Sequence, residues 1–441
     1  MIKSYFNLER AFFYSMEMRI SGSALNIFEV SAPPSKSYTH RAYTIATLAN
    51  GVSTIHNPLR AGDTDSTLSV CKSFGAEVIE EPDRVKITGT NGVEITPVED
   101  VFVGNSGTTI RLFTSIAALT KEGVRTVLFG DESVNQRPMQ PLLDALSQLG
   151  IVAVSEEENG TPPIIVHGGG IDGGKTEIRG DISSQFISSL LIASPFAKNH
   201  VTISLTTQLK SRPYVDITID IMKAFGVNVD NHAYRHLTAK KNTYTAGEYR
   251  VEGDYSSASY FLALAALTGV RGMVNNLNQY SVQGDRIILE ILKKMGVNIK
   301  EDENSVTVEG GSLKGAEIDL GDTPDMLPTI TALACGAEGK TAIKNIKHAR
   351  YKESDRVSVC AQEFSKFGVL IEEGDDYLIV EGAKNLSGAK VNSHNDHRIV
   401  MALSVLAVVA EGKTIIDNSE SVSISYPGFF DDLKRVGVRL E

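Results

Sequence analysis

The heptapeptide SFGAEVI at residues 73–79 ends one element and begins another. A hydrophobic residue, a glycine and then a strand-forming run marks a helix whose C′ residue takes the left-handed conformation before the chain extends. The pattern recurs as QLGIVAV at 148–154, AFGVNVD at 224–230, KMGVNIK at 294–300, KFGVLIE at 366–372 and RVGVRLE at 435–441. The copies lie about 70 residues apart, the signature of a repeated supersecondary unit.

A second set of segments keeps the same period out of phase. Each is a Gly/Asp/Asn/Ser-rich turn followed by a helix of small and apolar residues: PPSKSYTHRAYTIATLA from 33, GNSGTTIRLFTSIAAL from 104, GDISSQFISSLLIAS from 180, GDYSSASYFLALAAL from 253, GDTPDMLPTITALA from 321 and SHNDHRIVMALSVLAV from 393. Strand pairs with polar turns, such as VIEEPDRVKIT, complete each unit. The pattern predicts six βαβαββ units, most simply two α/β domains of three, with a seam near YRVEGDY at 249–255. The strand before Pro33 could complete the second domain; the sequence leaves that open.

Composition narrows the function. The 441 residues are too many for one ordinary core, and 42% hydrophobic with 22% charged residues describes a globular protein. A net charge of −11 argues against general nucleic-acid binding, which needs a basic surface. Three dispersed cysteines, Cys71, Cys335 and Cys360, suit a reducing cytoplasm. Lys3, Glu9 and Arg10 break any signal-peptide core, and the residues before Met16 read as a loose extension. The longest apolar run, IVMALSVLAVVA at 399–410, is too short to span a membrane and reads as a buried helix.

The chemistry gathers at the six helix starts. Ser35, Asn105, Asp181, Asp254, Asp322 and Asn395 or Asp396 are suited to cap them. Capping does not explain the neighbouring Lys36, Arg41, Arg111, Gln185, His397 and Arg398, nor Arg137, Arg212, Lys352 and Arg356 beside other helix starts. Cations at a helix N-terminus oppose the dipole, so their repetition points to a bound anion. Competing motifs are weaker. PPSKS is not a GxxxxGK[ST] phosphate loop; Ser69 and Lys72 form an unsupported S-x-x-K; His394 and His397 lack further metal ligands; His232 and His236 lack the Glu of HExxH and read as surface.

With PSKSYTHR, GNSGTTIR, QRPMQPLLDAL, SSQF, SRPYVDIT, GDYSSASYF, KESDRV and NDHR in order, the chain resembles the 5-enolpyruvylshikimate-3-phosphate synthases from about residue 19 to its end. The resemblance implies a two-domain inside-out α/β barrel with the active site in the interdomain cleft: residues 1–31 with 253–441 form the phosphoenolpyruvate side, and 32–252 the shikimate 3-phosphate side. It implies transfer of the carboxyvinyl group of phosphoenolpyruvate to the 5-hydroxyl of shikimate 3-phosphate, without cofactor or metal, in a cytoplasmic monomer. By similarity Ser37, Arg41, Ser183, Ser184, Ser211, Tyr214 and Lys352 hold shikimate 3-phosphate, with Gln185 against its ring. Lys36, Arg137, Gln185, Arg356 and Arg398 hold phosphoenolpyruvate, with Gly107 leaving it room. Asp325 is the expected base, also touching shikimate 3-phosphate; Glu353 is the acid, with Lys36 as assistant acid or charge.

Two positions depart from the family. Ile424, in VSISYPGF, stands where a lysine is usual and should weaken phosphoenolpyruvate binding. His348 replaces the usual Asn or Asp and should alter contacts to shikimate phosphate. The sibling UDP-N-acetylglucosamine 1-carboxyvinyltransferases carry KN at the first motif and usually a cysteine before the counterpart of Arg137, neither found here. A non-catalytic anion-binding relative is the alternative from another class.

Overall fold

The computed structural model describes residues 16–92, 95 and 100–441. The expected loose extension before Met16 lies outside the described residues. The unit is plainest from 100 to 167: strand Asp100–Phe102, helix Gly107–Ala117, strand Arg125–Phe129, helix Gln140–Gln148, then strands Ala153–Ser155 and Ile164–His167. The first two strands pair in parallel and the last two form an antiparallel hairpin. All six junction glycines adopt positive φ, from 84° at Gly150 to 103° at Gly437. There a side chain would strain the backbone, which is why the marker repeats.

Six four-stranded sheets result among the described residues. None closes on itself, so the expected inside-out barrel consists of separate open sheets with helices packed between them. Three units complete their sheets with distant strands. Glu248–Arg250 pairs in parallel with Val52–His56. Phe28–Ser31 pairs in parallel with Gly272–Asn275, and Met18–Ser21 lies between Lys413–Asp417 and Arg439–Leu440. The chain therefore runs between the halves twice, and the two crossings lie side by side. Ser35 N donates to Glu252 O, and Asp254 N to Pro33 O, both at 2.8 Å.

Two hydrophobic clusters follow this division. One gathers side chains from Tyr38 to Val251, the other Ile20 to Ala32 with Tyr255 to Val438. At their centres lie the helices that follow the repeated turns, including Lys36–Leu48, Gly107–Ala117, Tyr255–Thr268 and His397–Ala407, buried along almost their whole length. A helix buried on every side needs no polar face. Its hydroxyls turn back on the helix instead, as Thr44 does to His40 O at 2.8 Å and Ser404 to Val400 O at 2.8 Å. No helix among the described residues is long and apolar enough to cross a membrane. The run at 399–410 lies largely in one of the buried helices.

Candidate active site

The helix starts are capped much as the residue types predict, with shifts of one or two positions. Asp254 accepts from Ser257 N at 3.1 Å and Asp396 from Arg398 N at 3.0 Å. Ser106, not Asn105, caps the helix Gly107–Ala117, and Ser183, not Asp181, caps Ser184–Ala193. Asp181 is held outside by Arg179 at 2.8 Å. Ser35 stands at its helix start without a side-chain cap bond. Asp322 does not cap its own turn; its Oδ1 accepts from the N of Arg212, the first residue of helix Arg212–Ala224, at 3.3 Å, and its carboxylate pairs with the Arg212 side chain across the two halves.

Several of these starts open on one cleft. Its wall carries Ser183, Ser184, Ser211, Tyr214 and Lys352, together with Lys36, Gly107, Arg137 and Glu353, and Ser37, Gln185 and Asp325. Gln185 is fixed from both sides. Its Oε1 accepts from Arg111 Nη1 at 2.6 Å, and its Nε2 donates to Thr108 Oγ1 at 2.9 Å. Ser211 holds a left-handed backbone, φ 56°, at the start of helix Arg212–Ala224.

Asp325, in the 3₁₀ turn Pro324–Met326, is the electrostatic hub. Its Oδ1 accepts from Arg356 Nη1 at 2.8 Å and lies 3.3 Å from Lys352 Nζ. Its Oδ2 lies 2.9 Å from Arg398 Nη2 and accepts from the Tyr214 hydroxyl at 3.0 Å. Burial opposes ionisation of this carboxyl, but Arg398, Lys352 and Arg356 outweigh it and hold Asp325 well below the usual range. Glu353 is governed the same way: burial opposes its charge, and Arg356, Arg137, His397 and Lys36 overcome it. Burial lowers the pKa of Lys352.

The cations divide into occupied and idle. Arg356 is fully buried and engages Asp396 at 2.8 Å, Asp325 at 2.8 Å and Glu353 at 2.6 Å. Arg41, also buried, donates to Ser37 O at 2.9 Å, Tyr214 O at 3.2 Å and Thr218 Oγ1 at 2.7 Å. Neither guanidinium lines the main cleft. Arg398 binds Ser256 and faces an adjoining hollow that shares Lys36, Ser37 and Tyr214 with the cleft. Among the described residues Arg137 and Arg111 have no carboxylate partner: each lines the cleft, donates to a neutral oxygen, and keeps a buried Nε without a hydrogen-bond partner. Burial, then Arg137, pushes the Arg111 pKa down to about 9. Buried donors left unpaired are costly, which favours an anion between them.

Asp63 escaped the sequence reading. It lies 2.9 Å from Lys36 Nζ and 3.5 Å from His40 Nε2, so Lys36 already has a counter-ion. In sequence it is one more first-turn acid, and only its neighbours distinguish it. Ile424 lines the outer cleft with Asp63, Arg137 and Glu353, adding an apolar surface but no charge. His348 lines the cleft near Lys352, and burial, with Lys352 and Lys210, takes its pKa down to about 4.

The competing motifs do not assemble. Ser69 is exposed and Lys72 pairs with Glu80 at 2.8 Å. His232 and His236 face each other across an exposed hairpin rather than along a helix. His394 sits 3.5 Å from Glu363 while His397 is buried beneath the cleft, and no group among the described residues is arranged to hold a metal ion.

The family model for EPSP synthase (3-phosphoshikimate 1-carboxyvinyltransferase) matches residues 23–433. This chain belongs to the EPSP synthase family. The 3-phosphoshikimate 1-carboxyvinyltransferase of Methanocella arvoryzae is 50% identical over 414 residues, covering 93% of this chain and 97% of that protein. The protein of that name from Methanocaldococcus jannaschii is 48% identical over 413 residues, covering 93% and 96%. A solved structure of EPSP synthase from Acinetobacter baumannii superposes with a TM-score of 0.81 at 25% identity, covering 96% of this chain and 99% of that one. The βαβαββ units and the cleft described above thus belong to the EPSP synthase fold.

Proposed function

We propose that this chain transfers the carboxyvinyl group of phosphoenolpyruvate to the 5-hydroxyl of shikimate 3-phosphate, releasing phosphate, as a step in aromatic amino acid biosynthesis. The observation that carries the reading is Asp325, a half-buried carboxylate on the wall of the cleft that Arg398, Lys352 and Arg356 keep ionised. An ionised carboxylate can receive the hydroxyl proton as the substrate oxygen attacks C2 of phosphoenolpyruvate, while a proton goes to C3. The tetrahedral adduct then loses a C3 proton and phosphate.

In this reading residues 32–252 form the shikimate 3-phosphate domain, and 1–31 with 253–441 the domain bearing Asp325 and Glu353. Ser37, Ser183, Ser184, Ser211, Tyr214 and Lys352 take shikimate 3-phosphate, with Gln185 against its ring. Lys36, Arg137 and Arg398 take phosphoenolpyruvate, with Gly107 leaving space. Arg41 acts from behind, because its bonds to Ser37 O and Tyr214 O fix two of the residues that touch substrate. Arg356 orders Asp325 and Glu353 before it meets phosphoenolpyruvate, since carboxylates already occupy its donors. Glu353 is ionised in the free protein and must gain a proton to act as acid. Bound phosphoenolpyruvate supplies the reason: its negative charge offsets Arg137 and Arg356, so the proton affinity of Glu353 rises. Lys36 supplies charge beside it. The cleft draws all these residues from one chain, in keeping with a working monomer, and three unpaired buried cysteines suit the cytoplasm.

The test is phosphate release from the two substrates by wild type and Asp325→Ala. Release by the wild type and its loss in the variant support the reading; a wild type that binds shikimate 3-phosphate without releasing phosphate is a binding relative.

A further inference from the structure

The hollow beside the main cleft holds the carboxyl of Asp285, on a wall it shares with Lys36, Ser256 and Arg398. Asp285 sits in the 3₁₀ turn Gly284–Ile287, which is fixed from two sides. Gln283, just before the turn, donates to Glu252 Oε1 at 2.6 Å and to Gly253 O at 2.8 Å, and accepts from Tyr255 N at 3.1 Å. Gly284 approaches the helix start of the other half so closely that a Cβ would stand 2.6 Å from Pro213 Cγ. Asp285 is 7% exposed, and its Oδ1 is buried with no hydrogen-bond partner among the described residues. Its neighbours centre on Arg398, whose Nη1 donates to Ser256 Oγ and whose Nη2 lies 2.9 Å from Asp325 Oδ2. Arg398 and Ser256 favour a charge on Asp285, whereas burial, Asp325 and Asp254 oppose it and prevail, so the carboxyl is pushed up to about 7. Tyr214 and Lys36 are the other titratable groups on this hollow.

We propose that Asp285 is a positioning residue for phosphoenolpyruvate: Ser256 and Asp325 hold the Arg398 guanidinium, and Asp285 must be neutral for Arg398 to give its charge to the substrate. This rests on the functional reading above, in which Arg398 takes phosphoenolpyruvate. With Asp285 ionised, two carboxylates compete with the substrate for one guanidinium; with Asp285 protonated, only Asp325 does. The arriving anion adds negative charge beside Arg398 and makes ionisation of Asp285 harder still, so its proton affinity rises on binding. Below about pH 7 the carboxyl is neutral in both free and bound protein, and no proton moves. Above that value the free protein has lost the proton and must regain it to bind. Affinity therefore falls as pH rises, by at most about tenfold per unit.

Phosphate release at saturating shikimate 3-phosphate, followed from about pH 6.5 to 8.5, gives KM for phosphoenolpyruvate in wild type and Asp285→Asn. The wild-type value is expected to rise about tenfold above pH 7, where phosphoenolpyruvate itself no longer titrates, because a phosphate monoester loses its last proton near about pH 6. Asp285→Asn keeps the shape and is neutral at every pH. Its KM is expected to match the wild type at about pH 6.5 and to lie about tenfold below it at about pH 8.5. Its kcat follows the wild type, because Asp285 lies outside the main cleft. Other titrating groups, Arg111 included, act in both proteins and cancel in the ratio of the two KM values. A purely structural role would raise KM alike at all pH values, so a ratio that does not change with pH overturns the proposal. If Asp285→Asn does not fold, Asp285→Ser takes its place under the same expectation. A wild-type KM that stays constant above pH 7 overturns the proposal without any variant. Phosphate release with a constant ratio leaves the functional reading standing, whereas no release at any pH overturns both.

Discussion

Gly107→Ala puts one methyl group at the most crowded point of the cleft. A Cβ built on Gly107 would lie 2.1 Å from Arg137 Nη1 and 3.1 Å from its Cζ. Ordinary contact begins at 3.4 Å, so the guanidinium end must retreat by about 1.3 Å. It can do so cheaply. One hydrogen bond, from Nη2 to Ser133 Oγ at 3.1 Å, fixes the guanidinium, and its Nε has no partner among the described residues. The fold is therefore expected to keep its melting temperature within about 3 °C, since the strain stays below about 1 kcal/mol. The anion that Arg137 holds loses much more: a charge-assisted hydrogen bond is worth about 1.5–3 kcal/mol, which corresponds to about 10- to 150-fold in binding. Phosphate release measured against phosphoenolpyruvate at saturating shikimate 3-phosphate is expected to show KM raised by that factor. The KM for shikimate 3-phosphate stays within about twofold, because the cleft serines are untouched. An unchanged KM for phosphoenolpyruvate, or an equal rise for both substrates, would refute the assignment of Arg137 to phosphoenolpyruvate.

Three further outcomes test other parts of the site. Ile424→Lys restores a cation near Arg137 and Glu353, and is expected to lower KM for phosphoenolpyruvate about tenfold; an unchanged value would mean that the position lies too far out to matter. Glu353→Gln leaves Arg356 bonded to Asp325 and Asp396 but removes the proton carrier, so kcat falls about 10²- to 10⁴-fold while KM for shikimate 3-phosphate moves little. A kcat within threefold of wild type, or about that, would reassign the acid. Acid is expected to destabilise the protein from about pH 6.5 downward, because His397 is buried neutral: burial, then Lys36, pushes its pKa down to about 3, so the unfolded chain binds its proton first. That loss runs at about 1.4 kcal/mol per pH unit between the unfolded and folded values, and Asp325 and Glu353, held ionised, add to it below about pH 4.5. Thermal melts from pH 7 to 4 measure the slope, and His397→Leu is expected to reduce it by about 1.4 kcal/mol per pH unit above pH 4.5, leaving the share of His348 and His40, which burial also keeps neutral; an unaltered slope would place the proton elsewhere.

Much of this protein is written locally. The left-handed glycines Gly75, Gly150, Gly226, Gly296, Gly368 and Gly437 announce the repeat, because a steric rule acting on one residue needs no distant partner. The cap residues and the cations gathered after them likewise declare where helices start and that an anion is expected there. What local residues cannot state is who meets whom. Phe28–Ser31 joins a sheet with Gly272–Asn275, and Glu248–Arg250 one with Val52–His56, because an exposed strand edge is satisfied by whichever chain the core brings beside it. The same limit governs charge. Arg41, Arg137 and Arg356 look alike as motif arginines, yet Arg356 is spent on three carboxylates and Arg41 on the framework, while Arg137 keeps a donor idle at the cleft. Asp63 neutralising Lys36, and Lys210 without a carboxylate partner among the described residues, were equally invisible along the chain. The energy of a charge depends on burial and on counter-ions within a few ångströms, and in this protein many of those neighbours, such as Asp63 for Lys36 and Asp325 and Asp396 for Arg356, lie tens of positions away along the chain.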